Sequence, residues 1–341
     1  MSQIPTVFAK SARKIVEAVR PLEKTDHLLR TIGLDRDAVA DESLRIPYAD
    51  LMMLAAYAAD QTKDPAFGLR VGTTVDLREY GVIGASILSS STLRDALQAQ
   101  ARYLPIWTTV GSFRLQEEGE AAQISWEFAK TPLPDARQDC EMTMATVAKF
   151  IGSSTFARVE LREVWFEHAK PRDASEHTRV FGVPVHFRMP TNALLFDRDY
   201  LDIPLKSANP ESHALSTAAG DKLLARTNET LSFSQCVLSF IRLELENGTI
   251  DLESAARRLG VSRRTLQRKL KGEDCTYRDL VQQARQDLSQ YLLCGNPRTA
   301  TETAYALGYS EPSAFQHAFR KWHGMPAGEF KREVNCLPQD A

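Results

Sequence analysis

One short pattern occurs twice in the last third of the chain, and it restricts the local fold more than any other feature. Residues 259–262 read Leu-Gly-Val-Ser, and residues 307–310 read Leu-Gly-Tyr-Ser, 48 positions later. Amphipathic segments at 252–259 and 301–307 precede the two copies, and another amphipathic segment follows each copy. An internal repeat of this kind indicates one supersecondary unit that the chain uses twice.

The glycine and the serine of each copy have separate roles. Gly260 and Gly308 can adopt the left-handed backbone that ends a helix and begins a tight turn. Ser262 and Ser310 are predicted N-caps, whose hydroxyls accept a free backbone N–H of the next helix. A helix, a glycine turn and a second, capped helix make up a helix-turn-helix, so the sequence predicts two of them.

The second helix of each copy has an apolar face and a polar face. We expect burial of the apolar side chains, which are Leu266 and Leu270 in the first copy and Phe315, Phe319 and Trp322 in the second. The polar side chains are Arg263, Arg264, Gln267 and Arg268 in the first copy and Ser313, Gln316, His317 and Arg320 in the second. Such side chains donate to guanine or pair with adenine in the major groove of DNA. One copy alone is compatible with an ordinary helical hairpin, but two matched copies favour DNA binding. These second helices are called the reading helices below.

The segment between the copies is predicted to be one long helix. Residues 277–293 have apolar side chains at helical spacing and contain no glycine or proline, and Gly295-Asn296-Pro297 then ends the helix. At about 1.5 Å per residue the helix spans roughly 25 Å. A spacer of that length could hold two reading helices about one DNA turn apart, near 34 Å, on one side of the duplex.

Residues 235–333 resemble the DNA-binding domain of the AraC/XylS transcription regulators. The doubled motif, the linking helix and the closing run from Ser310 to Pro326 carry this resemblance. It implies double-stranded DNA and RNA polymerase as partners, and a regulator that activates transcription. It also implies which side chains face the bases, namely Arg264, Gln267 and Arg268 in the first copy and Glu311, Ser313, Gln316 and His317 in the second.

The first two hundred residues are predicted to be α+β. Helices are expected over 49–61, 81–88, 92–104 (with Thr92 as N-cap), 135–151 and 174–181. Alternating side chains predict a β-hairpin around 117–120 and strands over 159–168 and 185–196. The fold class is therefore an α+β N-terminal domain followed by an all-α C-terminal domain with two helix-turn-helix units.

This N-terminal region resembles the ligand-sensing, arabinose-binding-type domain of one branch of the same family. The resembling stretches are residues 64–70, 80–84, 92–97 and 181–187. The resemblance implies a small-molecule effector. Side chains that could line its pocket are Arg102, Tyr103, Trp107, Trp126, Trp165 and His168, although aromatic residues in such a domain also serve as plain core, and Arg102 could belong to a surface salt bridge.

Length and charge agree with this organisation. A chain of 341 residues suggests two domains, which we assign to 1–205 (sensing and dimerisation) and 235–333 (DNA binding), with a linker over 206–234. The net charge is −2, but residues 250–333 hold 14 Lys and Arg against 10 Asp and Glu. A mildly basic C-terminal region fits DNA binding confined to it, and the small excess suggests a homodimer.

Several function classes find no support in the sequence. Five scattered cysteines without a Cys-x-x-Cys pair argue against a disulfide framework and a structural zinc site, and they favour a cytoplasmic location. Phosphate-loop, dinucleotide, zinc-protease and nucleophile-elbow motifs are absent, so neither an enzyme nor a cofactor is expected. No apolar run is long enough to span a membrane. An architectural or constitutive DNA-binding protein without a ligand is the remaining alternative, although the large acidic N-terminal region disfavours it.

Overall fold

A computed structural model describes residues 5–19, 22–128, 136–226, 232–247, 251–294 and 299–335. Its contacts divide the chain into two compact units. The split unit contains the described residues within 9–63 and 232–335, and the central unit contains those within 5–8 and 64–226.

The described part of the chain is mostly helical. The helices are α1 Ala12–Glu17, α2 Leu22–Thr31, α3 Arg36–Ala40, α4 Tyr48–Thr62, α5 Phe67–Thr74, α6 Val82–Leu88, α7 Leu93–Trp107, α8 Arg137–Ser154, α9 Ser175–Phe181, α10 Pro210–Leu224, α11 Phe233–Asn247, α12 Leu252–Arg258, α13 Arg263–Lys271, α14 Tyr277–Cys294, α15 Ala300–Ala306, α16 Pro312–His323 and α17 Ala327–Asn335. The strands are β1 Thr6–Phe8, β2 Arg45–Pro47, β3 Gly111–Glu118, β4 Ala121–Phe128, β5 Leu161–Phe166, β6 Val185–Phe187 and β7 Asn192–Asp197. Short 3-10 helices lie at Ala9–Ser11, Leu77–Tyr80 and Arg198–Asp202.

The central unit is built on a five-stranded sheet with the order β3-β4-β7-β5-β6. β5 and β6 are parallel, and the other neighbours are antiparallel. Alternate side chains of the inner strands are fully buried, among them Ile124, Trp126, Val164, Phe166 and Phe196. This alternation is the period of two that half-buried strands require. Helix α7 packs on β3, and α8 packs on β7.

Two glycines let α5 approach α8 closely. A Cβ atom on Gly68 would lie 2.0 Å from the Gln138 carbonyl oxygen, and one on Gly72 would lie 2.3 Å from that of Met142. Both distances are far below van der Waals contact, so only glycine fits at these two positions. The contact fixes the first turns of α8, which carry Glu141.

The split unit joins both ends of the chain in one core. Helix α2 packs on α14, and α4 packs on α11. Arg242 of α11 donates to Asp50 of α4 at 2.8 Å and to Asp287 of α14 at 2.6 Å, and all three side chains are at least 86% buried. Burial alone would lower the pKa of Arg242, but Asp50 and Asp287 raise it above its usual value. A buried charge of this kind is tolerated only with such partners.

The predicted fold class is confirmed: the five-stranded sheet lies in the central unit, and the regular elements among the described residues from 232 onward are all helices. The hairpin around Gly119 and the N-cap at Thr92 also form, the latter as a capping box with Asp95. The expected strand over 185–196 is instead two strands, because Arg188 adopts a φ of +59° that interrupts the extended backbone. The predicted end of the linking helix at 295–297 lies outside the described residues.

The contacts group the chain differently from the domain ranges expected from the sequence. Residues 9–63 belong with the C-terminal helices and not with 64–205. The segment expected as a linker contains α10, which Asn209 caps through the Ser212 N–H and which has Pro210 at its first position. Among the described residues, no helix has the length and apolarity needed to cross a membrane.

Candidate nucleic-acid interface

The turn of the first helix-turn-helix unit is closed by two backbone hydrogen bonds. The Gly260 N–H donates to the Arg257 carbonyl at 3.1 Å, and the Val261 N–H donates to the Ala256 carbonyl at 3.0 Å. Gly260 has a φ of +64°. This pair of bonds around a left-handed glycine is a Schellman motif, which satisfies the last carbonyls of α12.

The second turn repeats the same geometry. The Gly308 N–H donates to the Tyr305 carbonyl at 2.9 Å, and the Tyr309 N–H donates to the Ala304 carbonyl at 3.0 Å. Gly308 has a φ of +72°. The repeat found in the sequence is therefore a repeat of backbone conformation.

The helix starts differ between the two copies. Ser262 caps α13 as predicted, with its hydroxyl accepting the Thr265 N–H at 3.2 Å. The prediction that Ser310 caps α16 is wrong, because the N-cap is Glu311 and no side chain accepts a bond there. Pro312 at the first helical position has no N–H to be capped, and its fixed φ moves the start one residue further.

Each reading helix buries its apolar face and exposes its polar face. Leu266 and Leu270 of α13 are fully buried, and so are Phe315 and Phe319 of α16, whereas Trp322 is only half-buried. The exposed predicted side chains are Arg263, Arg264, Gln267 and Arg268 on α13 and Glu311, Ser313, His317 and Arg320 at or on α16. Gln316 is half-buried. The nine residues therefore remain available to a ligand, with four of them on α13 in a helix that has no acidic residue.

The linking helix α14 holds the second turn through Arg285. Its guanidinium donates to the carbonyls of Leu307 at 2.8 Å and Gly308 at 2.7 Å. It also lies over the ring of Tyr309, 4.2 Å from the centroid. A planar guanidinium suits this combined bonding and stacking, which lysine cannot reproduce. The orientation of the second helix-turn-helix is thus tied to α14.

The end of the first reading helix is held by Glu273. Its carboxylate accepts the backbone N–H groups of Phe233 and Ser234, both at 2.8 Å, at the start of α11. Burial alone would raise the pKa of Glu273, but these hydrogen bonds lower it below its usual value. Lys269 lies over the Phe233 ring at 4.7 Å. Neither Arg285 nor Glu273 was identified from the sequence, because their partners are carbonyls and N–H groups that leave no pattern.

Of the six side chains predicted to line an effector pocket, Arg102 and Tyr103 share one partner, Asp221, and the other four have different neighbours. Arg102 is exposed and pairs with Asp221 at 2.9 Å, which is the surface salt bridge considered above. Tyr103 is buried and donates to the same Asp221 at 2.9 Å, and burial raises the pKa of its hydroxyl. Trp107 packs between the rings of Phe8 and Tyr80.

The remaining three predicted residues lie on or next to the sheet. Trp126 is fully buried between Phe113 and Phe128. The indole N–H of Trp165 donates to Glu163 at 2.9 Å. His168 follows β5 and meets Glu141 and His177, two buried residues that were not predicted as site residues. Burial lowers the pKa of His168.

Comparison with known proteins identifies both regions. The family model of the arabinose-binding domain of AraC transcription regulators matches residues 24–205, and a helix-turn-helix domain model matches residues 255–333. An ornithine utilization regulator of Pseudomonas aeruginosa is 28% identical over 294 residues, which cover 84% of each chain. The HTH-type transcriptional regulator VirS of Mycobacterium tuberculosis is 26% identical over 281 residues, 82% of each chain. The crystal structure of the transcriptional regulator CdpR from Pseudomonas aeruginosa aligns with a TM-score of 0.45 and 21% identity, covering 92% of this chain and 99% of that one.

Proposed function

Because the chain belongs to the AraC family of transcription regulators, we propose that its two reading helices bind promoter DNA and that a small-molecule effector controls this binding. The protein is a ligand-sensing, DNA-binding transcription regulator. The proposal also specifies which residues read the DNA and in which direction the protein regulates transcription. Activation through RNA polymerase follows the family resemblance, and homodimer formation fits the modest basic charge of the C-terminal region.

One observation supports the assignment of the base-reading residues: both reading helices expose their polar faces, and each follows a turn of the same backbone geometry. Arg264, Gln267 and Arg268 lie outside the buried Leu266–Leu270 side of α13. Arginine pairs bidentately with guanine, and glutamine pairs with adenine. Glu311, Ser313, Gln316, His317 and Arg320 are assigned the same role in the second copy. Because the first copy holds more cations, we assign it the larger share of the affinity.

A gel shift with the promoter DNA next to the protein's own gene tests the assignment. The double variant Gln267→Ala/Arg268→Ala should lose at least about 30-fold in affinity, since each bidentate base contact is worth about 1–3 kcal/mol. The variant Lys222→Ala removes an exposed cation of α10, in the central unit, and serves as the charge control. Unchanged binding by the double variant would show that other residues read the DNA.

Effector sensing is tested by thermal denaturation with a panel of metabolites. A compound that binds the native state raises the melting temperature at fixed protein concentration. Amino acids belong in the first panel, because one relative is named as an ornithine utilization regulator. If a broad panel gives no shift and DNA binding persists without additives, the alternative of a constitutive DNA-binding protein gains support. A regulator that binds the chromosome has no need of catalysis, and we place it in the cytoplasm.

A further inference from the structure

Three side chains from three separate elements meet inside the central unit. Glu141 lies on the second turn of α8, His177 on α9, and His168 just after β5. Each offers one donor atom, and the three atoms lie within 4.8 Å of one another. Glu141 and His177 have no exposed surface, and the side chain of His168 is 15% exposed. Two histidines and a carboxylate are a donor set that binds zinc and related first-row metals in proteins.

The hydrogen bonds of His168 prepare one of its nitrogens as a ligand. Its Nδ1 lies 3.0 Å from the carbonyl oxygen of Ala169, so Nδ1 carries the proton and donates it. Its Nε2 is then unprotonated and carries a free lone pair. This atom is buried and has no hydrogen-bond partner among the described residues. Metal-binding histidines are held in this way, with the second ring nitrogen bonded to a carbonyl or carboxylate.

The other two residues also leave polar atoms without a partner. Within the described part of the chain, Glu141 Oε2 and His177 Nδ1 are buried and accept or donate no hydrogen bond. His177 Nε2 lies 2.9 Å from Glu141 Oε1, and His168 Nε2 lies 3.5 Å from the same oxygen. Ligands of a tetrahedral zinc ion stand about 3.3 Å apart, given bonds near 2.0–2.1 Å. The cluster thus has nearly the spacing that a metal needs, and the buried His168 Nε2 and Glu141 Oε2 are costly to leave without a partner.

The neighbours of the cluster determine which ions it can accept. Arg137 donates to Glu141 Oε1 at 2.8 Å and to the Pro65 carbonyl at 2.8 Å. Its positive charge opposes a cation, but its hydrogen bond also orients the Glu141 carboxylate, as outer partners of metal ligands do. The rings of Phe166 and Phe187 pack against both histidines and exclude water on that side. Imidazole ligands in such surroundings favour zinc over magnesium or calcium.

We propose that Glu141, His168 and His177 bind one divalent first-row transition metal, with zinc as the best fit. Three protein ligands leave a fourth position for water or a small ligand. The metal would join α8, α9 and the end of β5 within the central unit. The sequence argument against a metal site considered cysteine spacing and the zinc-protease motif. The three ligands proposed here are 27 and 9 positions apart and leave no local motif.

Cobalt binding to the full-length, untagged protein tests the site after removal of metals by a chelator. Co²⁺ should bind one per chain and give the intense ligand-field absorption of a tetrahedral ion, and Zn²⁺ should displace it. The variant His168→Gln should lower the affinity by at least about 100-fold, since loss of even an outer partner of a metal ligand costs about 10–100-fold. The variant His186→Gln changes a half-exposed histidine of β6 and should bind cobalt as the native chain does.

A second measurement separates lost ligation from lost folding. Zn²⁺ should raise the melting temperature of the native chain and of His186→Gln, because a ligand of the native state stabilises it. It should leave the melting temperature of His168→Gln unchanged, while that variant without metal melts close to the metal-free native chain. If the native chain binds no cobalt, or if His168→Gln binds it equally well, the proposal is wrong. Neither result depends on DNA, so the proposed promoter binding stands or falls separately.

Discussion

Gly260 and Gly308 hold a positive φ, which other residues rarely adopt, and they make the turns of the two helix-turn-helix units. At Gly260 a Cβ atom would meet no neighbour within 4 Å, so the cost of replacement there is purely conformational. We expect Gly260→Ala to lower the free energy of unfolding of the split unit by about 1–2 kcal/mol. Gly328→Ala, on α17 in the same unit, also has open space but no positive φ and should leave stability unchanged or raised. Denaturant unfolding followed by circular dichroism compares the two variants, and equal midpoints would contradict the prediction.

The stability of the split unit should also depend on the protonation of His323. Burial lowers the pKa of its ring, and the nearby Arg30 and His27 lower it further. The folded state therefore takes up a proton less readily than the unfolded state, whose pKa is about 6.5. The contribution of neutral His323 to stability is therefore complete above that pH, and it is lost as the pH falls from there toward the lower pKa of the folded state.

We expect the melting temperature of the native chain to fall between pH 7.5 and pH 5.5 more steeply than that of His323→Gln. The ring nitrogen Nε2 lies 3.1 Å from the Ser289 hydroxyl, which glutamine can also bond, so the variant should still fold. Melting curves measured across this range for both proteins check the prediction. Parallel curves would mean that His323 does not contribute to the acid sensitivity.

Residue patterns predicted those parts of the candidate site that depend on neighbours in sequence. The turn glycines, the Ser262 cap and the alternation of buried Leu266 with exposed Gln267 all follow from local spacing. Ser310 failed as a cap because Pro312, two residues later, sets the start of α16. Arg285 was missed since its partners are backbone carbonyls 22 and 23 residues away.

At the scale of elements, α14 connects the two helix-turn-helix units, and Arg285 is one of its attachments to the second. We expect Arg285→Met, which keeps the apolar stem but removes both hydrogen bonds, to loosen the second unit relative to α14. Affinity should then fall about 10–150-fold, from the loss of hydrogen bonds made by a charged group worth about 1.5–3 kcal/mol. The loss should appear on DNA that engages both reading helices and vanish on DNA with only the first half-site.

Arg278→Met supplies the control for this measurement, because Arg278 is an exposed arginine on the first turn of the same helix. The affinity of Arg278→Met should change by the same factor for the DNA with both half-sites and for the DNA with only the first. If Arg285→Met also weakens both DNAs equally, Arg285 does not position the second reading helix.

Element types were predicted better than element ends and partners. The linking helix was expected over 277–293 and extends from Tyr277 to Cys294, because an uninterrupted helical period leaves few alternatives. The sheet order β3-β4-β7-β5-β6 could not be predicted, since β4 pairs with a strand some 70 positions later. Helix α10 was missed because its small and polar residues leave it largely exposed, with little apolar period to recognise.

At the scale of the whole molecule, segments that are far apart in the sequence share one core. Residues 9–63 share a core with the C-terminal helices, although the family model of the sensing domain begins at residue 24. The hydrophobic period of α4 does not identify its partner, because the helix is buried along most of its length and could pack on any buried helix. What specifies the partner is charge: Asp50 is a carboxylate within an apolar helix, and Arg242 is a guanidinium 192 positions away that meets it.

The Asp50–Arg242 pair therefore offers a test of how the two ends of the chain are joined. We expect Asp50→Asn to lower the free energy of unfolding of the split unit by about 3 kcal/mol, the low end for a broken buried pair, because Asp287 still neutralises Arg242. Asp60→Asn breaks an exposed pair with Lys63 on the same helix and should cost less than about 1 kcal/mol. Denaturant unfolding measures both, and DNA affinity measured alongside shows whether the N-terminal helices support the reading helices. Equal stability of the two variants would show that Asp50 does not join the ends of the chain. If Asp50→Asn is less stable yet binds DNA with normal affinity, residues 9–63 stabilise the split unit without shaping its DNA-binding surface.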